Sequence, residues 1–299
     1  MTNPGVANER PRVVVIGGGR GLTAAVRAAR MYAGHVTMVV STADDSGSSG
    51  RLRGSMGIAA PGDLRRCLVA MAGREDDPVG RAFEYRFDGT DIDGHALGNL
   101  LLAGLTAVCG DFLGAIEETS RLLGIDPAVA QALPSTVDLV DLHATTVDGT
   151  EVVGQYAVSK TAGIERVALY PKDVRAPESA VAAILGADQI VLGPGSLYTS
   201  VLAAALVKDI QSALAATTAR MVYVCNLEPE DAETRGYDVA EHVAALITHG
   251  VEPDVVLVNR DCVLPMGNVT IDVVEAALAR PDSDVHDSDK LAAALTVLT

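Results

Sequence analysis

The sequence predicts an α/β fold in which a mostly parallel sheet carries helices on both faces. Its candidate strands are continuously apolar rather than alternating, which is typical of a sheet buried on both sides. Alanine-rich helical patterns separate these strands, as in doubly wound sheets. The chain has 299 residues, 48% of them hydrophobic, and is long enough to bury one large core.

The chain opens with a predicted βαβ unit. Residues 13–16 form an apolar, β-branched run, a glycine turn follows, residues 22–33 favour a helix, and residues 36–40 form a second strand. This order predicts a right-handed crossover and a parallel sheet. Later strands are predicted at Gln189–Leu192, 221–225 and Val255–Asn259, and helices at 178–187, 200–216 and Val239–Thr248.

The middle of the chain departs from this alternation. Two consecutive helices are predicted at Leu97–Cys109 and Phe112–Leu123. Segments 139–146 and 151–158 then flank Asp148-Gly149, a dipeptide that favours a type I′ turn, so we expect a β-hairpin appended at the sheet edge. No linker or repeat divides the chain, which predicts a single domain over residues 11–299 and a disordered tail over residues 1–10.

Composition argues against several classes of function. A net charge of −16 argues against nucleic-acid binding, which requires clustered positive charge. No apolar run reaches the ~18–20 residues that span a bilayer, and the first eleven residues are polar, so we expect a cytoplasmic protein without membrane insertion. The wide spacing of the four cysteines argues against a zinc site or a disulfide framework; they are Cys67, Cys109, Cys225 and Cys262.

The glycine turn after the first strand is the first candidate binding site. Glycines here let backbone amides approach a phosphate at a helix N-terminus, and Gly18, Gly19 and Gly21 are the candidates. The spacing from Gly19 to Ala24 also fits the dinucleotide fingerprint, which would indicate NAD. A turn that only needs positive φ explains the same glycines, so both interpretations stay open.

A polar loop follows the second strand. Asp44 and Asp45 lie about twenty residues beyond the glycine turn, where dinucleotide sites place a carboxylate that holds a ribose hydroxyl. The same pair would equally hold a Mg²⁺ ion that bridges phosphates, and Ser48 and Ser49 would contribute to an anion nest. The alternative is a flexible loop of ordinary composition.

Arginines are concentrated just after this loop. Residues 51–66 hold four arginines against one acid, whereas the whole chain has 39 acids and 23 lysines and arginines. Guanidinium groups bind phosphate oxygens in a bidentate manner, so Arg51 and Arg65 are predicted phosphate ligands. Solvation or pairing with neighbouring aspartates is the competing explanation.

Further candidates follow other predicted strands or open a helix. Asn226 follows the strand at 221–225, at the edge where α/β sheets bind ligands. His95, which opens the first middle helix together with Asn99, is a candidate acid, base or phosphate donor, and the alternative is a helix-start histidine without such a role. The turn after Gln189–Leu192 supplies the remaining candidates: Gly193, Pro194, Gly195, Ser196, Tyr198 and Thr199.

Together these segments resemble the YvcK-like proteins, a bacterial family of gluconeogenesis factors related to CofD, the 2-phospho-L-lactate transferase of deazaflavin cofactor synthesis. The resemblance spans residues 12–295 and rests on five motifs in order: 17–22, 43–53, Pro61-Gly62-Asp63, His95-Ala96-Leu97-Gly98-Asn99 and 193–200. The chain departs from the family pattern at three places: Arg20 replaces a frequent Thr, Ser46 replaces a usual Gly, and residues 230–234 read E-D-A-E-T instead of a P-G-E-T turn.

The resemblance implies a three-layer Rossmann-like fold, usually a homodimer, that binds a UDP-sugar such as UDP-N-acetylglucosamine. YvcK-like proteins support cell shape and wall synthesis on gluconeogenic carbon sources, which predicts a regulator, with an unidentified protein partner, rather than an enzyme. A second hypothesis is a Mg²⁺-dependent transferase like CofD, with His95 and Asp45 as catalytic candidates. A third is an NAD-binding protein that uses the same glycine turn.

Overall fold

The computed structural model describes residues 10–89, 91–230, 232–261, 263–281 and 283–299. The predicted disordered tail, apart from Arg10, lies outside the described residues, and so does Cys262. Among the described residues no single helix is long and apolar enough to cross a membrane, although one sharply bent pair, Leu197–Ala205 with Lys208–Ala216, meets the length and composition of a span.

A parallel sheet of seven strands forms the centre of the structure. The sequence predicted a mostly parallel sheet and five of these strands, but not the edge strands Ala130–Pro134 and Asp272–Ala276. The strands of the chain are β1 (Arg12–Gly17), β2 (His35–Val40), β3 (Ala130–Pro134), β4 (Asp141–Thr146), β5 (Glu151–Val153), β6 (Ile164–Tyr170), β7 (Gln189–Leu192), β8 (Arg220–Val224), β9 (Val255–Asn259) and β10 (Asp272–Ala276). The order in the main sheet is β10-β9-β8-β7-β1-β2-β3, and each neighbouring pair is parallel. The chain therefore winds outward in both directions from β1 and β7, which makes their carboxyl ends the topological switch point.

Helices cover both faces of this sheet. They are α1 (Gly19–Tyr32), α2 (Gly47–Met56), α3 (Gly62–Ala72), α4 (Pro78–Glu84), α5 (Leu97–Cys109), α6 (Phe112–Leu123), α7 (Gln155–Ser159), α8 (Glu178–Leu185), α9 (Ala203–Ala205), α10 (Lys208–Ala216), α11 (Val239–Thr248) and α12 (Ser288–Thr296). In β1, Val13 and Val15 pack towards α1, α3, α5, α6 and α12, whereas Val14 and Ile16 pack towards α8 to α11. Alternate strand residues thus enter two cores, which explains why the strands are continuously apolar.

The predicted hairpin exists, but both its turn and its location were predicted wrongly. The β4–β5 turn is closed by the bond from the Gly149 amide to the Thr146 carbonyl, and Gly149 is its one residue with positive φ (83°). A type I′ turn needs two such residues in succession, and Asp148 does not provide the other. The hairpin also does not extend the main sheet, because β4 pairs with β5 and β6 in a separate antiparallel sheet over one of the two cores.

The predicted helix at 200–216 is divided into shorter pieces. A π-helical turn, Leu197–Leu202, leads into α9, and α10 then runs at 78° to this segment. The polar loop and arginine segment also contain more structure than predicted, since α2 and α3 lie within them. These two helices stand beside the switch point and carry most of its polar side chains.

Candidate functional site

Two glycine-containing turns meet at the switch point. A Cβ atom placed on Gly21 would lie 2.5 Å from the carbonyl oxygen of Pro194 and 2.9 Å from the amide nitrogen of Gly195. The β1–α1 turn and the turn after β7 therefore touch through backbone atoms, and only glycine fits at position 21. Asn226, at the end of β8, accepts a hydrogen bond from the Gly195 amide at 3.0 Å and fixes the second turn.

The N-terminus of α1 is already occupied by a carboxylate of the protein. Asp63 Oδ2 accepts a hydrogen bond from the Gly19 amide at 2.8 Å. In dinucleotide-binding folds, the pyrophosphate of the ligand occupies this position at the helix N-terminus. The other oxygen of Asp63 pairs with Arg66 at 2.6 Å. Burial raises the pKa of Asp63, and the nearby Asp44 raises it further. The first amide of α1 is therefore bound by a carboxyl group of the protein itself.

The N-terminus of the π-helical turn is occupied in the same way. Glu233 Oε1 accepts hydrogen bonds from the amides of Tyr198 and Thr199 at 2.6 and 3.2 Å, and Oε2 accepts one from Thr199 Oγ1 at 2.7 Å. Glu230 accepts a hydrogen bond from Ser196 Oγ at 2.5 Å. Two carboxylates of the β8–α11 loop thus hold the turn that follows β7.

Glu233 makes the free energy of unfolding depend on pH. Burial, followed by the charge of Glu230, raises the pKa of Glu233 from 4.5 to about 7. The folded chain therefore binds more protons than the unfolded chain between these values, so this stabilisation is fully present below pH 4.5 and is lost as pH rises through about 7. Relative to Glu233→Gln, we expect the free energy of unfolding of the wild type to fall by up to ~1.4 kcal/mol per pH unit in this window.

Urea unfolding of both proteins across this window and above it measures the effect. The buried histidines His242, His249 and His286, whose pKa values burial lowers, are present in both proteins, so the comparison separates Glu233 from them. Parallel pH profiles for the two proteins would contradict the expectation.

The N-terminus of α2, in contrast, is open. Its N-cap, Ser46, makes no side-chain capping bond, and within the described residues the amides of Gly47, Ser48 and Ser49 donate no hydrogen bond to the protein. Ser48 and Ser49 are buried, and Gly47 has a φ of 51°, which favours glycine. A helix N-terminus with free amides carries partial positive charge and binds anions.

Basic and donor groups surround this open N-terminus. Arg51 donates to the Asp93 carbonyl at 2.6 Å, which holds its exposed side chain close to His95. Ser48 Oγ lies 2.9 Å from His95 Nδ1. Burial lowers the pKa of His95, and the positive charges of Arg51 and Arg86 lower it further, so this histidine is neutral at pH 7. The structure therefore brings together Ser48, Ser49, Arg51 and His95, which the sequence analysis singled out from separate segments.

Several predicted site residues are engaged by contacts within the protein: Ser196 and Thr199 bind the glutamates described above, and Asn99 is 1% exposed with both amide atoms bonded to the protein. Arg65 is 1% exposed, and its guanidinium group binds Glu84 at 2.9 and 3.0 Å and Asn99 at 2.9 Å, which corrects its expected position facing a ligand. The Tyr198 hydroxyl group points into the protein, where it contacts Tyr237 at 2.9 Å. Asp45 accepts a hydrogen bond from the Tyr156 amide at the start of α7 at 2.9 Å, and so ties the β2–α2 loop to the small sheet.

In the described part of the chain, one oxygen of Asp44 accepts no hydrogen bond and is available to a ligand or a cation. Its Oδ1 accepts hydrogen bonds from the amide and hydroxyl groups of Ser46 at 3.0 and 2.8 Å, whereas Oδ2 faces Gly62 beside Asp63. Within the described residues no group of three or more His, Cys, Asp and Glu side chains could hold a metal ion. Asp44 nevertheless fits the way proteins bind Mg²⁺, which takes one or two carboxylates and completes its coordination with phosphate and water, whereas both oxygens of Asp63 are engaged by Gly19 and Arg66.

The E-D-A-E-T segment introduces local backbone strain. Ala232 has a φ of 67° and is the only non-glycine residue with positive φ among the described residues. It stands where the resembling family has glycine, which adopts this conformation freely, whereas alanine pays roughly 1–2 kcal/mol. The neighbouring Glu233 nevertheless makes its three hydrogen bonds, so the altered loop still holds the turn after β7.

Sequence reasoning did not identify Asp63, Glu230 or Glu233 as site residues. Asp63 is the single acid in the arginine-rich segment 51–66, and Glu230 and Glu233 lie in a loop that follows a predicted strand. These positions were weak signals that could have identified them. Asp63 lies 44 residues from Gly19, and Glu233 lies 35 residues from Tyr198, the residues whose amides they bind. No local pattern predicts hydrogen bonds between residues so far apart in the sequence.

Comparisons with known proteins agree on the family. The family described as 2-phospho-L-lactate transferase CofD matches residues 13–291. A curated relative named gluconeogenesis factor, from Halalkalibacterium halodurans, is 40% identical over 293 residues, which cover 95% of this chain and 87% of that protein. A crystal structure of a UPF0052 family member from Bacillus halodurans superposes with a TM-score of 0.89 at 36% identity, and the alignment covers 96% of this chain and 99% of the other.

Proposed function

Because this chain belongs to the CofD family and is similar to proteins named gluconeogenesis factors, we propose that it is a regulator that binds a UDP-sugar, such as UDP-N-acetylglucosamine. The resemblance to YvcK-like proteins supports the uridine nucleotide and the link from gluconeogenic growth to cell-wall synthesis and cell shape. The homodimer and the regulatory protein partner that it implies stay predictions.

The single observation that carries the proposal is the open N-terminus of α2. Within the described residues its first three amides donate no hydrogen bond to the protein, whereas an internal carboxyl group accepts from the first amide of α1 and another from two amides of the π-helical turn. Arg51 supplies a fixed positive charge, and His95 supplies a hydrogen-bond donor. A diphosphate bound at α2 would meet amides, a guanidinium group and an imidazole, which are the groups that bind phosphate oxygens.

This arrangement moves the phosphate site away from the glycine turn. Gly18 and Gly21 are explained by close contact: a Cβ on Gly18 would lie 2.7 Å from Asp63 Oδ2, and one on Gly21 would meet the Pro194 carbonyl. A dinucleotide that used the α1 N-terminus would have to displace the Asp63 carboxylate. The geometry therefore favours a nucleotide diphosphate at α2 over NAD at α1.

A second candidate function, a CofD-like transferase, is favoured by Asp44, whose Oδ2 accepts no hydrogen bond within the described residues. This carboxylate would hold a Mg²⁺ ion, which neutralises charge on a bound diphosphate. His95 is a poorer candidate base than the sequence suggested, because burial and the positive charges of Arg51 and Arg86 all lower its pKa. Asp45 is engaged with the α7 backbone and serves the fold.

Calorimetric titration with UDP-N-acetylglucosamine tests the proposal. We expect saturable binding, weakened about two- to twelvefold in His95→Ala, because a hydrogen bond contributes about 0.5–1.5 kcal/mol. His35→Ala is the matched control, since His35 begins β2 at the opposite end of the strands.

The same sample then separates the two candidate functions. For a regulator, the UDP-sugar is recovered intact after prolonged incubation with the protein and Mg²⁺. Release of UDP or UMP by the wild type would favour the transferase, and the absence of any saturable binding would overturn the nucleotide proposal.

A further inference from the structure

A chain of hydrogen bonds runs from the surface through the interior to His95. Glu84 binds Arg65 through two bonds of 2.9 and 3.0 Å, and Arg65 donates to Asn99 Oδ1 at 2.9 Å. Asn99 Nδ2 donates to Ser48 Oγ at 3.0 Å, and Ser48 Oγ lies 2.9 Å from His95 Nδ1. Arg65 and Asn99 are each 1% exposed, so water does not compete for the bond between them.

Arg65 determines which group donates and which accepts in every hydrogen bond of this series. A guanidinium group only donates hydrogen bonds, so the Asn99 oxygen must face Arg65 and the Asn99 NH₂ group must face Ser48. Ser48 Oγ accepts that bond and keeps its own proton to donate. Within the described residues, His95 Nδ1 is its one acceptor at hydrogen-bonding distance. A neutral imidazole that accepts at Nδ1 carries its proton on Nε2.

We propose that Arg65 and Asn99 are positioning residues that fix His95 as the neutral Nε2–H tautomer and thereby present a hydrogen-bond donor beside the open N-terminus of α2. The tautomer follows from this chain's own hydrogen bonds, and only the statement that Nε2–H meets a phosphate oxygen rests on the proposed function. His95 in this state donates through Nε2 and has no lone pair there with which to act as a base.

The proposal also explains the spacing of His95-Ala96-Leu97-Gly98-Asn99. A Cβ on Gly98 would lie 2.7 Å from Arg65 Cγ and 2.7 Å from Phe83 Cδ1, so glycine leaves the space through which the arginine stem passes. Asn99 follows directly and receives the guanidinium group. His95 precedes the helix and meets Ser48 from the other side. One short segment thus provides the donor, the space and the connecting amide.

The charged groups around His95 favour the same neutral form. Arg51 of α2 and Arg86, which follows α4, lie near enough to the ring to oppose a positive charge on it. Glu84 is separated from His95 by Arg65, Asn99 and Ser48, and Arg65 neutralises it. The Asp93 carbonyl accepts from Arg51 and holds that charge near the ring.

Asn99→Asp tests these donor and acceptor roles, because it replaces the amide NH₂ group by an oxygen with almost no change in the shape of the side chain. A carboxylate at this position would still accept from Arg65, but it would accept from the Ser48 hydroxyl instead of donating to it. Ser48 Oγ would then have to accept from His95, so the imidazole proton would move to Nδ1. We expect ¹⁵N NMR of the ligand-free protein to show Nε2–H in the wild type, Nδ1–H in Asn99→Asp, and a higher pKa of His95 in the variant.

Ser48→Ala provides the control, because it removes the connecting hydroxyl group. In the Ser48→Ala background, Asn99→Asp should no longer move the proton, which separates transmission through the chain from a general effect of the new charge. An Nδ1–H tautomer in the wild type, or no proton shift in a folded Asn99→Asp variant, would overturn the proposal. If Asn99→Asp does not fold, the wild-type and Ser48→Ala spectra decide: the proposal requires pure Nε2–H in the first and a mixture in the second.

Ligand binding is measured separately on the same proteins. If UDP-N-acetylglucosamine does not bind but the tautomers change as expected, the proposed function fails and the positioning role stands. If UDP-N-acetylglucosamine binds to a wild-type protein in which His95 carries its proton on Nδ1, the positioning role fails and the proposed function stands.

Discussion

Arg51→Ala is expected to weaken binding of UDP-N-acetylglucosamine by about ten- to a hundredfold, because a hydrogen bond to a charged group contributes about 1.5–3 kcal/mol. Uridine, which lacks phosphate, should bind the variant almost as well as the wild type. Arg51 is exposed and bonds to the protein at the Asp93 carbonyl, so the substitution removes little packing. Titration of both proteins with UDP-sugar, UDP and uridine measures the difference.

Two further variants define what the arginine contributes. Arg51→Lys should recover part of the affinity, because an ammonium group keeps the charge but loses the planar fork. Arg121→Ala is the matched control: it removes the same charge from α6, where Arg121 is exposed and pairs with Glu118. Equal losses for uridine and UDP-sugar in Arg51→Ala would mean that Arg51 does not meet the diphosphate.

Gly21→Ala is expected to lower the free energy of unfolding by an amount near the upper end of the range of about 1–3 kcal/mol. The added methyl group meets backbone atoms, which cannot move aside as a side chain does by changing its rotamer. The carbonyl of Pro194 would lie 2.5 Å from the new Cβ, and the amide of Gly195 2.9 Å from it. The two turns at the switch point would have to separate. Urea unfolding measures the loss of stability, and UDP-sugar titration shows whether the site is disturbed with it.

Gly104→Ala is the matched control for this variant. Gly104 lies in α5 with open space around it, since no atom lies within 4 Å of an added Cβ. Alanine should therefore stabilise this helix by about 1 kcal/mol through its higher helix propensity. A Gly21→Ala protein as stable as the wild type would contradict the close contact between the two turns.

Local patterns predicted five of the seven strands of the main sheet and missed the two edge strands, β3 and β10. The boundaries of β7, β9, α5, α6 and α11 agree with those expected from apolar periodicity. Strands buried on both faces are continuously apolar, and in helices with one buried face apolar residues recur every three to four positions. Both patterns can therefore be recognised without tertiary information. The hairpin turn was wrong because a dipeptide preference does not decide which residues occupy the centre of a turn.

The sequence by itself determined the doubly wound architecture and brought the candidate site to the carboxyl edge of the sheet, because short βα connections leave their turns at that edge. It also indicated Ser48, Ser49, Arg51 and His95 as candidate site residues, which the structure places close together, whereas Asn99 is buried behind them. Only the tertiary structure decided their roles. Which helix N-terminus is open, and which is closed by Asp63 or Glu233, depends on hydrogen bonds between residues far apart in the chain. Whether an arginine faces a ligand or supports a histidine depends on its burial, as Arg51 and Arg65 show.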